Sequence, residues 1–105
     1  MERVGFVMRL RRPEAEAEYR RRHAAVWPEM LEALRQAGCH NYTIFLRGQD
    51  LFGYFEVDDV REFQRQMNAS EVNRRWQAEM AELIDPLTDP ATGFHERLDE
   101  VFHLD

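Results

Sequence analysis

A chain of 105 residues supports one hydrophobic core and no more, so any site must be built within a single domain, residues 1–105, or between copies of it. At 44% hydrophobic, 11% aromatic and 32% charged, the composition is that of a folded globule rather than a disordered tail. Fourteen basic residues against twenty acidic ones leave a net charge of −6, which argues against nucleic acid as a partner, because that affinity rests on cations neutralising phosphates.

Residues Arg3 to Leu10 alternate, with Val4, Phe6, Met8 and Leu10 on one face and Arg3, Gly5, Val7 and Arg9 on the other. That period of two predicts a half-buried strand. Pro13 marks a helix start, and the apolar positions Ala15, Tyr19, Val26, Met30, Leu34 and Ala37 then recur at helical spacing until Gly38. Pro28 falls inside this stretch and must break it near Trp27, because proline lacks the amide proton and clashes with the preceding turn. His40 to Arg47 and Leu51 to Val57 are rich in β-formers and flank Gly48, Gln49 and Asp50, which predicts an antiparallel hairpin.

Helical spacing returns at Val60, Phe63 and Met67, and again after Asn68 at Val72, Trp76, Met80, Leu83 and Ile84, before Pro86 and Pro90 stop it. Asp85 to Gly93 has loop composition, and Leu98 to Leu104 is expected to form a last strand that buries Leu98, Phe102 and Leu104. The order is βαββαβ, an α+β, ferredoxin-like split βαβ domain with helices on one side of one antiparallel sheet. Apolar and aromatic side chains fall on both strand faces: Phe45 lies opposite Tyr42 and Ile44, and Phe55 opposite Phe52 and Tyr54. The sheet face without helices therefore needs cover, and a second subunit of a homodimer is the simplest.

Several chemistries are absent by count. Ser70 is the only serine and lacks the flanking glycines of a nucleophile elbow. Gly48 and Gly53 have the spacing of a phosphate loop, but Tyr54 and Phe55 stand where Lys and Ser or Thr are required. His23, His40, His95 and His103 show no short metal-ligand pattern, so no metal is expected. Cys39 alone supplies neither a disulfide nor a thiolate cluster, and the run Val4 to Met8 is cut short by Arg9, Arg11 and Arg12 before it reaches the length of a signal core or membrane span. A reducing, cytoplasmic setting is expected. All fourteen basic residues are Arg, and Arg20, Arg21 and Arg22 point around a helix as a solvated face.

His23 follows Tyr19 by four residues, which puts both on the inward face with Ala15, Val26 and Met30. Spacing leaves two readings open: a core histidine satisfied by a backbone carbonyl, or a general acid/base that titrates near neutrality. Tyr42 on the hairpin and Trp76 on the second helical region are equally consistent with core packing. Together, however, two phenols, an indole and an imidazole make a credible carbohydrate pocket, in which aromatic faces stack on sugar C–H groups.

The stretches FVMRL (Phe6 to Leu10), EYRRRHAAVWPEM (Glu18 to Met30), GCHNYTIFL (Gly38 to Leu46), LFGYFEV (Leu51 to Val57), RRWQAEM (Arg74 to Met80) and EVFHL (Glu100 to Leu104) resemble the L-rhamnose mutarotases in order and spacing. The resemblance spans the chain, and the YxxxHxxxWPE and HNY segments are its most specific parts. It implies a cytoplasmic dimeric α/β barrel enzyme without metal or organic cofactor that interconverts the anomers of L-rhamnose. It also implies His23 as proton donor, Tyr19 and Tyr42 as substrate contacts, and a tryptophan pair beginning at Trp76. Gln77 departs from that pattern, replacing stacking surface with an amide and opening the choice of another deoxysugar such as L-fucose. His23 is expected to act as acid to the ring oxygen or its adjacent hydroxyl, with Tyr19 or a bound water as its complement. Two other classes remain: a cofactor-free monooxygenase-like enzyme on the same fold, and a non-catalytic sugar-binding dimer.

Overall fold

The computed structural model describes all 105 residues. Its central strand is β1 (Glu2–Leu10), paired antiparallel along its whole length with β3 (Asp50–Val57), from Glu2↔Val57 to Arg9↔Asp50. β3 pairs in turn with β2 (Cys39–Arg47). The free side of β1 is shared by two short strands, β4 (Ile84–Asp85) and β7 (Arg97–Leu98), giving the order β2-β3-β1-β4 with β7 also on β1. Between those two, β5 (Thr88–Asp89) and β6 (Phe94–His95) form a small separate hairpin. The split βαββαβ order holds, but the place of the last strand is shared by β7 and by β4, which takes Ile84 from the stretch read as helical, and the segment read as loop supplies β5 with β6 following it.

Both long helical stretches are broken where the chemistry of the backbone requires it. The first becomes a 3₁₀ turn (Pro13–Ala15), α1 (Glu16–His23) and α2 (Pro28–Gln36). Pro28 is the first residue of α2, a position where its missing amide proton costs nothing, and Trp27 before it is extended (ψ 132°). The second becomes α3 (Val60–Ala69) and α4 (Glu71–Met80). Ser70 stands between them in extended backbone and its hydroxyl caps α4 at the Asn73 amide, 3.2 Å. Asp59 caps α3 by accepting from the Arg61 and Glu62 amides.

The four helices and the β5–β6 hairpin cover one face of the sheet. Val4, Phe6, Met8 and Leu10 of β1, Leu51, Phe55 and Val57 of β3, and Phe63, Met67, Trp76 and Met80 of the helices belong to one core of 18 buried residues. Each such side chain contributes roughly 1.5–3 kcal/mol by leaving water. Phe6 is paired with Gly53 and its ring lies flat over it: a Cβ at Gly53 would sit 2.2 Å from the Phe6 Cζ.

The expectation of a buried strand over Leu98 to Leu104 is corrected. Only Arg97 and Leu98 pair with β1, and beyond them the chain has no regular structure. Leu98 is half-exposed, while Val101, Phe102 and Leu104 are open to solvent. The Arg3–Glu100 ion pair, 2.7 Å, ties this tail to β1. The sheet face without helices carries a row of apolar side chains across three strands, Phe45–Phe52–Val7, with Leu98 packed over Gly5 beside it.

Candidate active site

A cavity of about 350 Å³, open to solvent, lies between the helices and the sheet. Its wall includes His23, Tyr42, Trp76 and Gln77 from the sequence reading, together with Asn73, Phe94 and His95. That volume is at the small end of the roughly 300–1,000 Å³ range of small-molecule pockets, which suits a single sugar ring.

His23 is the last residue of α1, where the helix ends because Pro28 lies ahead. Its Nδ1 is 3.0 Å from the Tyr19 carbonyl oxygen. A carbonyl can only accept, so Nδ1 carries the proton and Nε2 is left with its lone pair free. Burial lowers the His23 pKa below the ordinary imidazole value, outweighing the carbonyl bond that pulls the other way. The ring is held on both sides, stacked on Tyr19 at 4.1 Å between centroids and meeting the Trp76 edge at 5.4 Å. Both readings of His23 are therefore partly met: one nitrogen satisfies a backbone carbonyl and the other is available as a neutral acceptor.

Tyr42 reaches the cavity through a β-bulge. Between His40↔Glu56 and Thr43↔Tyr54 the register shifts, so that Asn41 and Tyr42 together face Phe55 alone. Asn41 absorbs the extra residue in left-handed backbone (φ 51°), where asparagine is tolerated, and its amide donates to Glu56 at 2.8 Å. As a result Tyr42 shares the helix-facing side with Cys39 and Ile44, and packs against Phe6 and Phe55. It is 38% exposed because the cavity opens to solvent, yet the protein around its hydroxyl pushes its pKa up, with the Tyr19 phenol and the Cys39 thiol adding to the effect. Tyr19 is buried behind His23 rather than lining the cavity wall, and burial holds its phenol protonated. Its hydroxyl is not sealed off, since no buried polar side-chain atom lacks a partner and this hydroxyl bonds to none.

Trp76 is 7% exposed and stands edge-on to both His23 and Trp27, the latter at 5.1 Å and 83°. Trp27 thus braces the indole that braces the imidazole. Next in the chain, Gln77 donates to the Asn73 Oδ1 one turn earlier at 3.2 Å, and Asn73 donates to the Met67 carbonyl at 3.0 Å across the α3–α4 break. This relay of amides fixes the Gln77 side chain at the rim. The cavity wall is completed by Phe94, packed on Phe63, and by His95, stacked on Phe6. Sequence reasoning passed over Asn73, Phe94 and His95. The last two lie beyond a Pro- and Gly-rich segment with no periodicity, where only residue type offered a signal.

Elsewhere the charges behave as surface. Arg21 and Arg22 bond Glu18 and hold its carboxyl down at about 2, while Arg20 pairs with Glu16. No three of the His, Cys, Asp and Glu side chains converge as a metal site, and no helix is long and apolar enough to cross a membrane.

A family model described as L-rhamnose mutarotase matches residues 3–104. Among curated relatives, L-rhamnose mutarotases of Oceanobacillus iheyensis, Bacillus subtilis and Burkholderia ambifaria are 37%, 39% and 40% identical to this chain, each over 107 aligned residues and the full length of both proteins. A crystal structure of an L-rhamnose mutarotase from Formosa agariphila superposes with a TM-score of 0.81 at 26% identity, covering 100% of both chains. A dimeric ferredoxin-like protein from an uncultured marine organism, 15% identical, superposes with a TM-score of 0.63 over 98% of this chain and 97% of its own, which bears on the fold alone. With a sugar-sized aromatic cavity around a pinned imidazole, and a full-length match to one family by model, sequence and structure, the chain belongs to the L-rhamnose mutarotase family.

Proposed function

We propose that the exchange of α- and β-L-rhamnose, the activity that membership of this family assigns to the chain, is carried by His23 acting through Nε2 in a single domain spanning residues 1–105. The observation that supports this most directly is the bond from Nδ1 to the Tyr19 carbonyl, 3.0 Å, which leaves a neutral acceptor on the cavity side of a half-buried ring. Ring opening moves one proton: the anomeric hydroxyl loses it, the C1–O5 bond breaks as the aldehyde forms, and the ring oxygen gains it. A neutral imidazole takes the proton from the anomeric hydroxyl and, as imidazolium, returns it to the ring oxygen. The role of acid to the ring oxygen is thereby kept as the second half of a shuttle.

Trp76 and Tyr42 hold the sugar, the indole against its C–H face and the phenol at a hydroxyl, and Tyr42 stays protonated as a donor. Tyr19 supports the imidazole from behind and presents its hydroxyl beside that of Tyr42. Gln77 offers an amide to a ring hydroxyl in place of a second stacking surface. No cofactor is required by this chemistry.

The enzyme works as a homodimer, a dimeric α/β barrel in which a second copy covers the Phe45–Phe52–Val7 row and the apolar tail. Val101, Phe102 and Leu104, each more than three-quarters exposed, support an occupant that one copy alone does not supply. Saturation-transfer NMR on equilibrated L-rhamnose, L-fucose and D-galactose tests the activity and its selectivity together. Exchange accelerated for L-rhamnose above the other two supports the proposal; equal spontaneous rates with and without protein would overturn it.

A further inference from the structure

We infer that His95 is a second proton-transfer residue of the anomer exchange, serving the anomeric oxygen on the side to which the open sugar rotates while His23 serves it on the other. The inference rests on the assignment of His23 made above. Its ground is that two imidazoles facing one cavity are built alike. His95 holds the Pro86 carbonyl through Nδ1 at 3.0 Å, as His23 holds that of Tyr19 at 3.0 Å. Each ring is stacked on an aromatic neighbour, His95 on Phe6 at 4.7 Å and 10°, His23 on Tyr19 at 4.1 Å and 27°. In each the Nδ1 proton is committed to the backbone, and Nε2 bonds to no protein group. The two come from different walls: His23 from the end of α1 beside Trp76, His95 from the β5–β6 hairpin over the sheet.

Mutarotation needs two such positions. Once C1–O5 has broken, rotation about C1–C2 carries the carbonyl oxygen away from the group that took its proton, and closure then forms the other anomer. In one direction His23 Nε2 takes the proton from O1 and delivers it to O5 as the C1–O5 bond breaks and C1=O1 forms. After rotation, O5–H attacks C1, His95 Nε2 takes the O5 proton, and it passes that proton to O1 as the C1=O1 double bond becomes single. Each imidazole begins and ends neutral, one proton is moved at each step, and no co-reactant is consumed. The reverse reaction uses the two in the opposite order. Phe6, fixed over Gly53, gives the His95 ring a rigid floor, as Tyr19 gives one to His23.

The test combines ring-nitrogen NMR with exchange rates on the full chain. Protein labelled with ¹⁵N at histidine is titrated with L-rhamnose, and anomer exchange is measured for wild type, His95→Ala, His95→Gln and His23→Ala. The expected result is that L-rhamnose moves the Nε2 resonances of both His23 and His95, and that each folded His95 variant loses roughly a hundredfold or more of the exchange rate, within the range of a positioned acid or base. A sugar that moves the His23 resonance but leaves His95 untouched overturns the inference, even if neither variant folds. Folded His95 variants that exchange within twofold of wild type overturn it as well. A His23→Ala protein that keeps its rate instead defeats the earlier assignment, so the two failures are told apart.

Discussion

The two faces of the sheet are made from the same strands, often from adjacent residues, and meet different fates. On the helix side Phe6 lies flat over Gly53, Tyr42 is brought in by a bulge, and every large apolar side chain of β1 is within 4% of full burial. On the other side Phe45 is 64% exposed in the same strand, and the tail beyond Leu98 is open. The first face is finished within one chain and shapes a sugar-sized cavity. The second stays open in one chain, and it is the face that the proposed homodimer covers. One copy is enough to build the cavity.

The largest expected effect lies on the finished face. His23→Ala should remain folded while anomer exchange falls by roughly 10²–10⁴, the contribution of a positioned acid or base. Were His23 only a core residue, the mutant would instead lose about 1–3 kcal/mol of stability and lose activity only with its folded fraction, which circular dichroism beside NMR exchange separates.

Two glycines sharpen the contrast next. Gly53→Ala drives a Cβ to 2.2 Å from the Phe6 ring, whereas at Gly5, on the open face, the nearest atom is the Leu98 Cβ at 3.7 Å. Urea unfolding should show Gly53→Ala destabilised by about 1–3 kcal/mol, the usual cost of overpacking. Gly5→Ala should stay within about 0.5 kcal/mol of wild type, as changes away from tight packing do. Equal losses at the two positions would erase the distinction between the faces.

On the open side, Phe45→Glu should leave the chain folded but shift its sedimentation from a dimer towards the 12.6 kDa of one chain. A wild-type protein that already sediments as one chain at micromolar concentration would falsify the dimer.

A smaller effect comes from acid. His23 and His95 both titrate below the ordinary imidazole value of 6.5 because of burial. The unfolded chain therefore takes up protons first as pH falls through 6.5, and stability declines from there until the folded imidazoles are themselves protonated. This decline precedes that of the carboxylates, whose ordinary value is 4.5. Replacing both histidines with Gln should flatten it, as read by thermal melts across that range. Smallest of all is chelation: exhaustive EDTA treatment should leave the exchange rate unchanged, and a loss restored by zinc or manganese would contradict the cofactor-free shuttle.

Much of this was legible in the residues. Alternation marks β1, β-formers around the Gly48–Asp50 turn mark β2 and β3, and Pro28 announces the break between α1 and α2, because strand period, turn chemistry and proline stereochemistry act locally. The imidazole and indole of the cavity lie on helical stripes, and their inward direction follows from spacing. Three things did not follow. Leu98, Phe102 and Leu104 have the pattern of a buried strand whether their cover comes from the same chain or from another, so burial was assigned where the structure has exposure. His95 belongs to a segment without period, and its position depends on long-range packing against Phe6. Tyr19 shares the inward face of His23, but helical spacing cannot tell the front of that face from the layer behind it, where the structure places the Tyr19 ring.

The bulge at Asn41 and Tyr42 has one more consequence, which concerns parity. With two residues set against Phe55, the segments of β2 before and after the bulge are out of phase by one, and Cys39 and Ile44 face the same side although an odd number of steps separates them. Deleting Asn41 would leave four steps from Cys39 to Ile44, equal to the four from Val57 to Gly53, so the ladder would become regular with Tyr42 opposite Phe55 and both segments facing as before. Such a deletion would remove the amide that Asn41 donates to Glu56 while Cys39, Tyr42, Ile44 and Leu46 kept the helix side. Between Cys39 and Ile44, then, the chain carries one residue more than its partner strand, and the left-handed backbone at Asn41 is what lets it do so without turning either segment over.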